Sequence, residues 1–362
     1  MTIYLDYQAT TPPAPEAAEA MRPWLGEKFA NPHSPHKLGR EAAAAVEVAR
    51  AQVLDKIGGG GKLHFTSGAT EAANWALKGS GATRIVTLAT EHACVLDTVE
   101  WLAGQGHEVD VLPVGADGIV DLDLVEARVT DGTGLVAAML VNNEIGVIQP
   151  IAEIARIAHA KGALFFCDAV QGFGRVPLPL ESCDMVALSA HKIHGPKGIG
   201  ALWVRDGVTL EPLLHGGGQE GGVRSGTLSP MLCAGFGAAA SLLRCDAHYV
   251  ERLWAIASEL MAGWTLNGAS DARYHGNLNL RREGVDAARL ISEVREVAFS
   301  AGSACASGSG RPSHVLAALG LGEREARASI RLGFGRYTEE EELRTALGLI
   351  EAAAARQLKF AA

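Results

Sequence analysis

The densest chemistry in the chain lies in one short stretch, Asp184-Met185-Val186-Ala187-Leu188-Ser189-Ala190-His191-Lys192, followed by Ile193-His194-Gly195-Pro196. An apolar run ends in a serine, a histidine and a lysine, and a Gly/Pro turn follows at once. Side chains that leave a buried strand at its carboxyl end are held rigidly and face the crevice where open α/β sheets bind ligands. A lysine placed there is desolvated, so its amine loses its proton more easily and can attack a carbonyl to form a Schiff base. The neighbouring Lys197, in Gly195-Pro196-Lys197-Gly198, lies beyond the turn and has no strand to aim it.

Four further apolar runs end in polar clusters. Phe65 leads into Thr66-Ser67-Gly68-Ala69-Thr70-Glu71, a small-residue turn that opens a helix. Free amides at that helix start, with the Thr70 hydroxyl, make a phosphate site. Leu88 leads into Thr90-Glu91-His92, Val141 into Asn142-Asn143-Glu144, and Cys167 into Asp168-Ala169-Val170-Gln171. Taken singly, these read as helix caps or a hydrogen-bonded histidine. Taken together, they put a phosphate turn, an imidazole, a carboxylate and a lysine at one sheet edge, which no structural need requires. That set suits pyridoxal 5'-phosphate, which needs a Schiff-base lysine, an acidic partner for its ring nitrogen and an anion site for its phosphate. On this reading Lys192 holds the aldehyde and moves the substrate's α-proton, while Asp168 keeps the ring nitrogen protonated.

Positioning those groups takes alternating strands and helices. Lys62 to Phe65 reads as a short strand, and Arg84 to Leu88, Leu135 to Val141, Ala163 to Cys167 and Asp184 to Leu188 read as buried strands. Glu41 to Ile57, Glu71 to Lys78 and Ala152 to Lys161 read as helices between them. This α/β alternation implies a doubly wound, mostly parallel sheet. From about residue 247 helices and short strands form a smaller α+β domain. The expected division is a large domain over 13–246, and a small one made of 1–12 with 247–362 that carries a Gly/Ser-rich loop at 300–313.

With 362 residues, 48% of them hydrophobic, the chain has ample material for a core. Its net charge of −9 argues against a nucleic-acid or anionic-membrane partner. No apolar run approaches the roughly 20 residues that span a bilayer, and the amino end lacks a signal-peptide pattern. The six scattered cysteines fit neither a disulfide framework nor a zinc site, so a reducing cytoplasm and no intrinsic metal are expected.

The chain resembles cysteine desulfurases of the NifS/IscS group, within the class V aminotransferase superfamily of fold-type I enzymes. The likeness runs nearly end to end. Besides the clusters above, it includes Tyr4-Leu5-Asp6-Tyr7, Asn31-Pro32, His215-Gly216-Gly217-Gly218, Arg224-Ser225-Gly226-Thr227, Ser303-Ala304-Cys305 and Ser329-Ile330-Arg331. It departs at Gly221, where relatives usually carry an arginine, and at Leu140, where a polar or aromatic residue is common.

The resemblance implies a fold-type I transferase in which Lys192 binds the cofactor, His92 stacks on its ring and exchanges protons, Asp168 pairs with the ring nitrogen and Gln171 with the ring hydroxyl. Ala69, Thr70, Ser189 and His191 would hold the phosphate, Thr227 reaching it from the other subunit of a homodimer. Asn143 would lie beside cofactor and substrate, and Asn31 and Arg331 would bind the substrate carboxylate. The implied reaction converts L-cysteine to L-alanine, with His92 taking the thiol proton and Cys305 taking the sulfur as a persulfide. A loop rich in Gly, Ser and Ala is expected to be flexible, carrying Cys305 from the pocket to acceptors such as an iron–sulfur scaffold or a tRNA-thiolation protein. Cys305 could also ligate a transferred cluster. Rival readings are another class V enzyme, such as an aminotransferase or selenocysteine lyase, and a non-catalytic sulfur-transfer scaffold.

Overall fold

The computed structural model describes residues 2–243, 246–302 and 313–361. The chain opens with a short strand, β1 (Ile3–Tyr4), and then builds the strands of the main sheet. These are β2 (Lys62–Thr66), β3 (Arg84–Leu88), β4 (Glu108–Leu112), β5 (Leu135–Met139), β6 (Leu164–Asp168), β7 (Met185–Ser189) and β8 (Gly200–Val204). Their spatial order is β2-β8-β7-β6-β5-β3-β4. Every pairing is parallel except those of β8, which runs antiparallel between β2 and β7.

Helices cover both faces, so the central strands are apolar throughout rather than alternating. All five residues of β5, β7 and β8 are buried. One core, on the face that includes Phe65, Phe165 and Phe236, packs against helices Lys37–Ile57 and Pro230–Ser241. The other, with Trp75, Phe166 and Met185, packs against Ala69–Gly79 and Ala93–Gly104.

The later part of the chain adds β9 (Thr265–Leu266), β10 (Asn277–Arg281), β11 (Val297–Ala298), β12 (Ser300–Ala301) and β13 (Ser329–Gly333). Four of these form an antiparallel sheet in the order β12-β13-β10-β9, covered by helices Ala247–Leu260 and Glu340–Ala361. β1 pairs in parallel with β11, and Leu5 enters this second core.

Where β2, β8 and β7 meet, Thr66, Gly200 and Ser189 lie side by side in register. A Cβ on Gly200 would stand 2.5 Å from the Leu188 carbonyl oxygen and 2.8 Å from the Gly68 backbone. Only glycine at the start of β8 lets the turn after β2 and the end of β7 approach it this closely. Gly200→Ala should therefore cost about 1–3 kcal/mol, read as a lowered urea midpoint. A midpoint equal to wild type would show that these strands do not crowd each other.

Candidate active site

Five strand ends of the main sheet contribute to one cavity of about 480 Å³. Ser67, Gly68, Ala69 and Thr70 come from the end of β2, His92 from beyond β3, and Asn143 from beyond β5. Asp168, Gln171, Ser189, His191 and Lys192 come from the ends of β6 and β7, and Arg331 on β13 lines it from the second sheet. The exposed Lys197 shares the wall. A larger groove of about 760 Å³ lies elsewhere, against Arg50, His64 and Glu220, and holds none of the expected site residues.

Lys192 sits in the short helical turn after β7, and its amine donates to the carbonyls of Gln8 and Ala9 at 2.5 and 2.8 Å. The N-terminal segment is tied to this turn from several directions. The Thr11 amide and hydroxyl both donate to the His191 carbonyl, each at 2.9 Å, and the His194 amide donates to the Thr11 hydroxyl at 2.7 Å. His191 faces the Thr10 hydroxyl at 3.1 Å. Burial and the nearby charges of Lys192, Lys197 and Arg175 push its pKa down to about 4, so the ring is neutral at pH 7.

Asp168 ends β6, and its Oδ1 accepts from the Val170 amide at 3.0 Å. Burial raises its pKa above the ordinary carboxylate value, against the pull of that amide, His92 and Lys192. A carboxylate in such a place favours a cation against it. His92 caps helix Ala93–Gly104, its Nδ1 accepting from the Cys94 amide at 3.1 Å. Burial lowers its pKa, assisted by Lys192 and His314 and opposed by Asp168. The neutral ring therefore carries its proton on Nε2, as assigned from the amide that Nδ1 faces. Proton uptake by this imidazole is thus tied to the helix cap.

At the other end, the turn after β2 has Gly68 as its helix cap, with open space where a side chain would stand. The Ser67 amide donates to the Glu71 carboxylate at 2.7 Å, and Arg224 grips the same carboxylate at 2.7 and 3.0 Å. Burial alone would raise the Glu71 pKa, but these partners hold it below its usual range. The turn is fixed from outside, and the amides that open the helix remain for an anion.

Arg331 is almost fully buried. Its Nη2 donates to Asp6 at 2.7 Å and its Nη1 to the Asn143 carbonyl at 3.1 Å, while the buried Nε has no acceptor among the described residues. Sequence reasoning gave no partner for this arginine, and nothing local could have, since Asp6 lies 325 residues away.

Not every expected residue arrives. Asn31 is exposed, its side chain accepts from the His33 amide, and it does not line the cavity. Thr227 is also exposed and outside the cavity. Cys305 and Cys245 lie outside the described residues. The other four cysteines are buried and unpaired. Burial pushes the Cys94 thiol, which lines the cavity, well above its ordinary range, and Cys233 up to about 12. Cys167 is raised by the hydrogen-bonded Cys183 thiol and by burial.

A lysine, a buried aspartate and a helix-start anion site, gathered at strand ends of this mixed seven-stranded sheet, define a fold-type I pyridoxal-phosphate enzyme. The sequence matches the family described as aminotransferase class-V over residues 3–345. It is 46% identical over 371 aligned positions to a cysteine desulfurase IscS of Rickettsia bellii (strain OSU 85-389), covering 97% of this chain and 90% of that protein. Its structure is similar to a solved NifS-like protein, with a TM-score of 0.91, 33% identity, and 98% and 100% of the two chains covered. It is also similar to a structure titled SspA in complex with cysteine, with a TM-score of 0.85, 35% identity, and 93% and 100% covered. The chain belongs to the class V aminotransferase family, on its cysteine desulfurase branch.

The raised pKa of Asp168 has a thermodynamic consequence. Its ionised form costs stability above the folded pKa, and that cost vanishes below the unfolded value of about 3.9. Without cofactor, Asp168→Asn should therefore melt roughly 2–4 °C above wild type at pH 8. The gap should close as the pH is lowered toward about 4. A variant less stable than wild type at pH 8 would contradict the burial penalty assigned to this carboxyl.

Proposed function

We propose that this protein converts L-cysteine to L-alanine and passes the sulfur to Cys305 as a persulfide, using pyridoxal 5'-phosphate. The observation that carries this reading is the convergence of Lys192, Asp168, His92 and Arg331 on one cavity in a chain similar throughout to cysteine desulfurases. The cavity chemistry fits the cofactor. Ala69, Thr70, Ser189 and His191 all line the cavity and would hold its phosphate, and Asp168 is the buried carboxylate that a protonated ring nitrogen would satisfy. When bound, the cofactor draws electrons from the substrate's α-carbon. Lys192 would be the attachment point and would move the α-proton, Gln171 would donate to the ring hydroxyl, and His92, held as a neutral imidazole, would stack on the ring and exchange protons.

The substrate carboxylate is assigned to Arg331, whose unpartnered Nε and planar fork suit two oxygens. Asn143, whose carbonyl braces Arg331, stands beside it. The reaction balances without an added oxidant: the C–S bond of cysteine breaks, an S–S bond forms on Cys305, and the α-carbon side of the substrate leaves as alanine. The residues 13–246 form the unit that carries the cofactor, and 1–12 with 247–362 the unit that carries Arg331 and Cys305.

A homodimer belongs to the same proposal. Leu25 and Phe29 are 73% and 79% exposed, and Leu38 and Val48, in the helix that follows, are exposed as well, apolar side chains on either side of Asn31 in sequence that a second copy would cover. Asn31 and Thr227 are then completed by dimerisation, Thr227 serving the partner's phosphate site. Acceptor proteins for the persulfide, such as an iron–sulfur scaffold or a tRNA-thiolation protein, and a cytoplasmic setting complete the reading. No helix among the described residues is long and apolar enough to cross a membrane.

Mass spectrometry after brief exposure to L-cysteine without reductant tests the reaction. One added sulfur is expected on the peptide bearing Cys305, and Cys305→Ser should reduce alanine formation on the order of 100-fold or more. Sulfur on a different peptide, or undiminished alanine formation by the variant, would refute the assignment.

A further inference from the structure

Arg175 has no role in the chemistry described so far. It follows Gln171 by one helical turn, in the segment that leaves β6. Its Nη1 donates to the Gln171 side-chain oxygen at 2.5 Å and more weakly to the Gln171 carbonyl at 3.4 Å. Its Nη2 donates to the Lys192 backbone carbonyl at 2.7 Å. The guanidinium lies 5.4 Å from the centre of the Tyr274 ring and faces a small cavity of about 130 Å³ behind Lys192. Burial lowers its pKa from the usual guanidinium value, but the group remains a cation at neutral pH.

The orientation of Gln171 follows from this contact. A guanidinium only donates, so the amide oxygen must face Arg175 and the NH2 must point away. Nε2 accordingly donates to the Gln8 carbonyl at 2.9 Å. One of its two hydrogens is used there. The other is left at the wall that Gln171 shares with Lys192 and Asp168.

We propose that Arg175 is a positioning residue for the cofactor. One side of its fork holds the residue that bears the reactive amine, and the other fixes the amide that donates to the ring hydroxyl. The two are thereby set in a single frame. This inference rests on the cofactor reading above. Without the fork, Gln171 can turn its oxygen toward the ring hydroxyl, and a cation near Lys192 is lost. Both changes make a proton on the cofactor-bound Lys192 nitrogen harder to lose. A lysine at 175 keeps the charge but cannot span both acceptors.

The test uses the holoenzyme, with two readouts other than turnover: the dissociation constant for pyridoxal 5'-phosphate and the pH midpoint of its colour change. Arg175→Met should weaken cofactor binding about tenfold or more and raise the midpoint by about one pH unit. Arg175→Lys should weaken binding about threefold with a smaller midpoint shift. If Arg175→Met does not fold, the lysine variant decides alone. Folded variants with wild-type affinity and midpoint would overturn the proposal, even if their melting temperatures fall, because Arg175 would then be merely structural. Borohydride trapping of wild type separates the two levels of inference. A label on Lys192 with unchanged variants overturns the role of Arg175 alone, whereas no label on Lys192 overturns the cofactor reading and this proposal with it.

Discussion

An ammonium group drawn into a protein wall must find acceptors, and Lys192 finds them in the carbonyls of Gln8 and Ala9. These belong to neither flank of the lysine but to a segment more than 180 residues away in sequence. That segment is stitched to the lysine turn through Thr11, His191 and His194, and its far end enters the second core through Leu5 and β1. Gln8 also accepts from Gln171 and donates to the Gly276 carbonyl. The amine is thus placed by the docking of the second core on the main sheet, and any loosening of that contact is felt at the reacting nitrogen.

Electrostatically, the site is built from groups displaced from their ordinary titration. Asp168 and Glu91 are raised by burial, while His92 and His191 are lowered by burial and by cations. Burial disfavours the charged form of each of these groups, and a ligand of mixed charge that supplies counter-charges reverses that penalty. A cofactor with an anionic phosphate at one end and a cationic ring nitrogen at the other meets both demands. The helix-start residues Ala69 and Thr70 and the carboxylate of Asp168 line the same cavity, which is the spatial form of that match.

Much of this was legible in the sequence because parallel strands covered on both faces leave continuous apolar runs, and β3, β5, β6 and β7 all do so. The polar residue after each run then marks the same edge. What was not legible has physical causes. β4 carries Glu108 and Asp110 at the sheet edge and lacks an apolar signature. β8 is apolar, but its direction is set by the short return after Lys192, and an apolar run has no sign. Helix Pro230–Ser241 packs through glycine and alanine, which give little contrast in hydrophobic pattern. Arg175 and Asp6 act through partners 17 and 325 positions away, distances at which residue spacing conveys nothing. Asn31 and Thr227 sit apart from the cavity within one chain, a separation that residue spacing does not reveal.

The buried cysteines take on meaning beside this chemistry. Cys94 stands at the cavity wall, yet its surroundings keep the hydrogen on its sulfur. Cys167 and Cys233 are likewise held as thiols. A protonated sulfur is a poor nucleophile. The apolar interior thus keeps Cys94, Cys167 and Cys233 in the form least reactive toward sulfur.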